Sequence, residues 1–259
     1  MIVKSIKFID NKVQVNLDRY SFFISKENYI ENPLAIESDV SEEYVKNLLD
    51  YEMVIESKIS MIKLLNKRAL SEYEIFLKLK EKGISKEKVL NIIEDLKRSG
   101  LINDEYVAII SSESMLVKKK GKKEIEKVLK EKSIADEIIT NIIEGIDETQ
   151  YLDNFEKVKN KYLKMYERRS FKVKEKMVRQ KLEEYGYENE LIYSASVEND
   201  KENEIEIAKS ALLKIIKNKN FNLDNYENIN KIKSKLVMKG FSYDIINRAL
   251  EEVKNDEIN

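Results

Sequence analysis

The sequence predicts a mainly α protein: tandem three-helix repeats forming an elongated curved array, with a small N-terminal antiparallel β meander. Three observations predict it. Only one Pro and six Gly occur in 259 residues, which suits long helices with short joints. From Ser41 onward, Ile, Leu, Val and Met recur at three- and four-residue spacing, the period of an amphipathic helix. An apolar register then returns about every 50 residues, the mark of a repeat architecture.

The elements follow in order. Ile2 to Ile9 is a β-rich run, and Val13-Gln14-Val15-Asn16-Leu17 alternates apolar and polar as a half-buried strand does. Asp10-Asn11-Lys12 between them reads as a hairpin turn. Tyr20 to Ile24 is a third strand, so the meander is expected over about residues 1–30, with Pro33 closing it. Ser41 is a good N-cap, with Glu42 and Glu43 in the first turn where the helix dipole favours anions. That helix is expected to run to about Asn66. Ser71 and Glu74 have capping-box spacing for the next one.

The repeat is anchored on Gly83, Ser133, Gly186 and Gly240. Eight residues before each anchor stand Ile75, Ile125, Val178 and Ile232, and four before stand Leu79, Leu129, Leu182 and Leu236. One after stand Ile84, Ile134, Tyr187 and Phe241. Six after stand Val89, Ile139, Ile192 and Ile246, and nine after stand Ile92, Ile142, Ala195 and Ala249. The first pair of positions stacks on one helix face. The anchor ends that helix in a left-handed conformation that Gly reaches cheaply, and the next apolar residue folds back on the helix end. The last two positions share a face of a second helix. A third helix is expected in the first three units. Leu101-Ile102-Asn103-Asp104 and Tyr151-Leu152-Asp153-Asn154 open two of them, with Asp104 as an N-cap. Residues 204–217 form the third, after a long second helix or a polar loop over Glu198 to Asn203. The expected organisation is an N-terminal β segment at 1–40, a linking helix at 41–66, and helical repeats at 67–116, 117–168, 169–220 and 221–259, the last truncated. Each unit is too small to bury much core alone, so neighbours share faces.

Composition excludes several chemistries. The chain has no Cys, His or Trp. It therefore has no zinc site of the usual nitrogen and sulfur type, no Cys nucleophile, no histidine base and no disulfide. The glycines are too far apart for a phosphate-binding loop. The acidic doublets Glu42-Glu43, Asp104-Glu105 and Glu183-Glu184 are sequence neighbours whose side chains splay apart on a helix. No catalytic constellation, cofactor or metal site is expected. There is no signal peptide and no apolar run of membrane-spanning length, so a cytoplasmic protein, expected to be a monomer, is read.

The repeat motifs carry a resemblance. Arg68-Ala69-Leu70-Ser71-Glu72-Tyr73-Glu74-Ile75, with Leu79 and Lys82-Gly83, resembles the opening motif of the RecX family, bacterial regulators of the RecA recombinase. Leu101-Ile102-Asn103-Asp104-Glu105-Tyr106-Val107-Ala108 resembles the segment that closes the family's first unit, with Asn103 in place of an Asp. Gly121-Lys122-Lys123-Glu124-Ile125, with Leu129, Lys132 and Ile134, resembles its second opening, with Ser133 in place of Gly. Lys231 to Phe241, including Gly240, resembles its last. The resemblance covers about residues 55–255. It implies a non-enzymatic regulator, mainly an inhibitor. Such a protein lies in the groove of the RecA–DNA filament and modulates ATP turnover, strand exchange and filament growth or disassembly. Arg68, Ser71, Glu74, Gly83, Asp104, Gly121 and Gly240 are read as structural motif positions.

Charge is segregated. The net charge is −1, yet residues 157–181 carry 11 basic and 2 acidic groups. The basic ones are Lys157, Lys159, Lys161, Lys164, Arg168, Arg169, Lys172, Lys174, Lys176, Arg179 and Lys181. A second run is Lys118, Lys119, Lys120, Lys122 and Lys123. Such strips meet an acidic protein surface or a phosphate backbone. Tyr162, Tyr166 and Phe171 are interleaved, either to stack on single-stranded bases or to sit on the apolar helix face beneath solvated lysines. The competing function is therefore a direct binder of single-stranded nucleic acid; double-stranded DNA is a further possible partner.

Overall fold

The computed structural model describes residues 1–195, 197, 199–219 and 221–258. Glu198, where the loop before the third helix of the third unit was placed, Asn220 at that unit's end, and Asn259 lie outside the described residues.

Three strands, β1 (Val3–Ile9), β2 (Lys12–Leu17) and β3 (Ser21–Ser25), form an antiparallel sheet in the order β1-β2-β3. Val13 pairs with Phe8 on one side and Ile24 on the other. The alternation of β2 buries Val13, Val15 and Leu17, which pack with Phe22, Ile24, Leu34, Val40, Val45 and Leu48. Asp10 turns the hairpin at φ 48°, a conformation Asp reaches more readily than most residues.

The meander ends at Ser25, earlier than the expected limit near residue 30. Lys26–Glu31 is instead a short helix, α1. Its cause is a buried carboxylate. Glu52 Oε2 accepts from the Ser25 N–H at 2.7 Å, the Ser25 hydroxyl at 2.9 Å and Asn28 Nδ2 at 3.1 Å. Glu52 lies on α2 (Glu42–Leu65), which is N-capped by Ser41 and ends at Asn66.

The remaining helices are α3 (Glu72–Glu81), α4 (Lys86–Arg98), α5 (Asp104–Val117), α6 (Lys122–Glu131), α7 (Asp136–Glu144), α8 (Glu148–Met165), α9 (Phe171–Glu184), α10 (Asn189–Ser194), α11 (Lys201–Lys219), α12 (Tyr226–Met238) and α13 (Tyr243–Ile258). The chain divides into two compact units, residues 1–110 with 129–139, and residues 111–128 with 140–259.

The register positions are explained by helix ends. At Ser133, Gly186 and Gly240 the anchor N–H bonds to the carbonyl three residues back (Lys130, Glu183, Val237). The following N–H of Ile134, Tyr187 or Phe241 bonds to Leu129, Leu182 or Leu236. This is the Schellman motif, in which the residue after the anchor packs on the residue that opens the last turn. The Leu four before and the apolar residue one after are those two partners, and all of them are buried. Among the twenty register positions, Ile142 and Ala195 are half-buried and the others buried.

Two details differ from expectation. Asn103, not Asp104, caps α5, accepting from the Tyr106 N–H at 3.0 Å. Tyr151 to Asn154 lies inside α8, whose cap is Asp147. Asp147 wins because Tyr151 and Phe155 must face the core from within the helix. The second helix of the third unit is short, ending at Ser194.

Packing groups the helices with a phase of its own. One core joins Met61 of α2 to Ile75 and Leu79 of α3 and Val89, Ile92, Ile93 and Leu96 of α4. Another joins Tyr151, Phe155, Val158 and Tyr162 of α8 to Val178 and Leu182 of α9 and Ile192 of α10. A third joins α11, α12 and α13. Each bundle thus opens with a long helix, one helix earlier than the boundaries drawn from the glycine register.

Candidate functional site

Three joints of one design recur, and most of the motif residues belong to them. At each, the N-terminus of one helix (α3, α6 or α9) meets two things: a side chain from the second helix after it (α5, α8 or α11), and the C-terminal end of the third (α6, α9 or α12).

At the first joint, Ser71 and Glu74 form a capping box on α3, with bonds of 3.2 and 3.0 Å. The Glu72 N–H donates to Asp104 Oδ1 of α5 at 2.8 Å. Glu74 Oε2 accepts from Lys132 Nζ, beyond the end of α6, at 2.9 Å. Burial pushes Glu74 upward, but the Ser71 N–H and the Lys132 and Arg68 cations outweigh it, and the pKa falls below its ordinary value. Burial dominates at Asp104, whose pKa is raised. Arg68 itself is exposed. Gly83 ends α3 at φ 80°, with open space where a side chain would stand.

At the second joint, the Lys122 N–H donates to the Tyr151 hydroxyl of α8 at 3.1 Å, and that hydroxyl donates to Glu188. Burial first, then the Glu188 carboxylate, raises the Tyr151 pKa. The Gly121 N–H bonds to Tyr185 O at 2.8 Å and the Lys123 N–H to Gly186 O at 3.0 Å. A Cβ on Gly121 would lie 2.2 Å from Gly186 O. Gly121 is therefore a close-approach glycine. At the third joint, the Phe171 N–H donates to Glu204 Oε1 of α11 at 2.9 Å and the Ser170 hydroxyl to Lys239 O at 2.8 Å. A Cβ on Gly240 would lie 2.5 Å from Val173 Cγ2. In all three, a positive helix start faces a negative helix end, a favourable dipole arrangement.

The second basic run is largely engaged at the second joint. Lys122 pairs with Glu148 at 2.9 Å, and Lys123 Nζ bonds to Asn189 at 3.0 Å. Lys120 Nζ lies 4.8 Å from the centre of the Tyr185 ring. Lys119 O accepts from the Tyr187 hydroxyl at 2.9 Å. Lys118 is exposed just after α5.

The longer basic strip occupies α8, the turn at 166–170 and α9. Its ends are neutralised locally: Lys157 by Asp153, Lys159 by Glu156, Arg179 by Glu175 and Lys181 by Glu184. Its middle is different. Lys161, Lys164, Arg168, Arg169, Lys172, Lys174 and Lys176 pair with no carboxylate among the described residues. The aromatics face inward. Tyr162 is buried in the core, stacked on Tyr166 at 6.1 Å and edge-on to Tyr185 at 6.0 Å. Phe171 is half-buried. Interleaving in sequence therefore does not become a stacking platform. The joints escaped the sequence reading because their partners lie up to 69 residues apart; Gly121 at a helix start was the one available signal.

Comparison with known proteins fits this architecture. The family model of the MCM protein C-terminal winged helix-turn-helix domain matches residues 51–110. That stretch runs from within α2 into α5 and holds no strand, so the likeness is to the helices and not to a wing. Regulatory protein RecX of Lactococcus lactis subsp. cremoris (strain SK11) is 24% identical over 258 residues, 96% of each chain. Regulatory protein RecX of Enterococcus faecalis (strain ATCC 700802 / V583) is 28% identical over 85% of this chain and 84% of its own. A crystal structure of regulatory protein RecX superposes with a TM-score of 0.59 at 21% identity, covering 74% of this chain and 97% of that one. Among the described residues no helix is long and apolar enough to cross a membrane, and no cluster of carboxylates is arranged to hold a metal. Along nearly its whole length the chain is thus similar to relatives that share one name, regulatory protein RecX, and it has the fold of a solved structure of that name.

Proposed function

We propose that this chain is a non-enzymatic regulator of the RecA recombinase, acting in the cytoplasm mainly as an inhibitor. The observation that carries the reading is the alignment with proteins named regulatory protein RecX over 96% of the chain. The physics supports it. A set of similar modules, at 67–116, 117–168, 169–220 and 221–259 in the glycine register, can engage neighbouring protomers of a filament. Affinity then multiplies with each contact and favours filament over free subunit. Bound along the filament groove, the chain would hinder subunit motions coupled to ATP turnover, block strand exchange, and alter filament growth or disassembly. The unpaired cations between Lys161 and Lys176 are the proposed contact surface.

The test is a titration of the RecA ATPase from the same organism, with and without single-stranded DNA. A saturable fall in the DNA-dependent rate is expected; an unchanged rate at saturating protein would sink the reading. A second reading, direct binding of single-stranded nucleic acid, draws on the same cations. It predicts binding without RecA that weakens steeply with salt and is lost when Arg168, Arg169, Lys172 and Lys174 are changed to Glu. The inward-facing Tyr162 and Tyr166 make it the weaker of the two.

A further inference from the structure

Resting on that regulatory reading, we propose that a cleft at the third joint seats an acidic peptide segment of a protein partner, one that also carries a bulky aliphatic side chain. The cleft holds about 800 Å³. Arg168, Arg169, Lys214 and Lys239 line it, and among the described residues no carboxylate does. None of the four has an ion-pair partner among the described residues. Like charges around one opening repel one another, and low-dielectric walls focus their field on whatever enters.

The other joints differ. At the first, Lys132 is held by Glu74 at 2.9 Å and Lys97 by Glu72 at 2.7 Å. The corresponding hollow there is smaller, about 330 Å³, and is lined by Glu72 and Asp104 instead. At the second joint, Lys122 is held by Glu148. Lys97 and Lys132 at the first joint and Lys122 at the second are neutralised from within; those lining the cleft at the third await an anion from outside.

The floor selects the kind of anion. Val173, Ile207, Ala211 and Ile215 form it, and Met238 stands at the mouth, 86% exposed. A bare phosphate chain gains nothing from an apolar floor. Single-stranded bases need an open aromatic face, and among the described residues the one aromatic of the lining, Phe241, is 5% exposed. An acidic peptide with a Leu or Ile satisfies both parts. Its carboxylates take charge-assisted bonds from the rim, its aliphatic side chain leaves water for the floor, and the flexible Met238 thioether adapts to its shape.

Fluorescence anisotropy on the full chain tests this with three labelled probes. They are a peptide of Asp and Glu around a central Leu-Leu pair, the same peptide with Ala-Ala, and oligothymidine. The Leu-Leu peptide is expected to bind. The Ala-Ala peptide should bind roughly tenfold more weakly. Arg169→Glu with Lys214→Glu should cost the Leu-Leu peptide at least about tenfold, while Lys46→Glu on α2 changes nothing. Both cleft positions are exposed, and unchanged thermal unfolding of the double variant verifies its fold. Equal binding of the two peptides, indifference to the double variant, or oligothymidine as the probe whose binding is lost would overturn the proposal. The RecA ATPase titration separates the two readings. Protein that takes the peptide yet leaves the ATPase untouched keeps the cleft and sinks the regulatory role. Protein that slows the ATPase yet takes neither peptide sinks the cleft alone.

Discussion

The first and second joints bring equivalent helix ends together by opposite means. At the first, side chains make the contact: Glu74 reaches Lys132, and the turn beside it places Ser133 at φ 54°. At the second, backbone meets backbone: Gly121 and Lys123 donate directly to Tyr185 and Gly186. A side-chain contact tolerates small shifts and titrates with pH. A backbone contact is indifferent to pH but admits no added atom. One design of joint therefore has two distinct vulnerabilities.

The largest effect is expected at the second joint. Gly121→Ala places a methyl group 2.2 Å from the Gly186 carbonyl oxygen, where backbone on both sides resists movement. A loss of about 3 kcal/mol or more is expected in urea unfolding. A loss below about 1 kcal/mol would show that the two backbones are not pinned. The first joint should move the other way. Ser133→Gly relieves a left-handed non-glycine residue, and a gain of about 1 kcal/mol is expected after the entropy of a freer unfolded chain is deducted. Thermal unfolding should shift up by about 2–4 °C.

Glu74→Gln is the next smaller probe, since Gln also suits the capping box and only the charge is removed. The pair with Lys132 is about three-quarters buried, and about 1 kcal/mol is expected at neutral pH. Its pH dependence follows from the lowered pKa of Glu74. The folded state binds fewer protons than the unfolded one between the two pKa values. The stabilisation is therefore complete above the ordinary carboxylate value of 4.5 and is lost as pH falls through the folded one. The difference between wild type and Glu74→Gln should shrink on acidification, while the cost of Gly121→Ala stays constant. Asp104→Asn should matter least, within about 0.5 kcal/mol at neutral pH, because an oxygen still accepts from the Glu72 N–H and a half-buried charge with a raised pKa is removed.

The repeat was legible in the sequence because its physics is local. Leu182 and Tyr187 meet across a single helix end, so six residues of sequence hold the whole signal. The capping box of Ser71 and Glu74 was legible for the same reason. Helix α1 was hidden because its organiser, Glu52, lies 27 residues from Ser25. The cap of α8 was misplaced because Asp147, Asp153 and Asn154 all suit an N-cap, and only the core position of Tyr151 decides among them. Of the basic strip, the charge was legible and the pairing was not. The sequence holds neither the neutralised ends nor the unpaired middle, because both depend on which carboxylates each helix face presents.

The capping of α3, α6 and α9 from a later helix bears on how the chain matures during synthesis. The Glu72 N–H finds its acceptor 32 residues downstream, the Lys122 N–H 29 and the Phe171 N–H 33. A nascent α3, α6 or α9 therefore leaves the ribosome with this donor still facing water, and gains its partner only when the second helix after it has emerged. α12 draws on its own neighbour, with Asn225 accepting from the Asn228 N–H at 3.2 Å, as Ser71 does from the Glu74 N–H in α3. The first turns of α3, α6 and α9 are thus completed by what is translated after them.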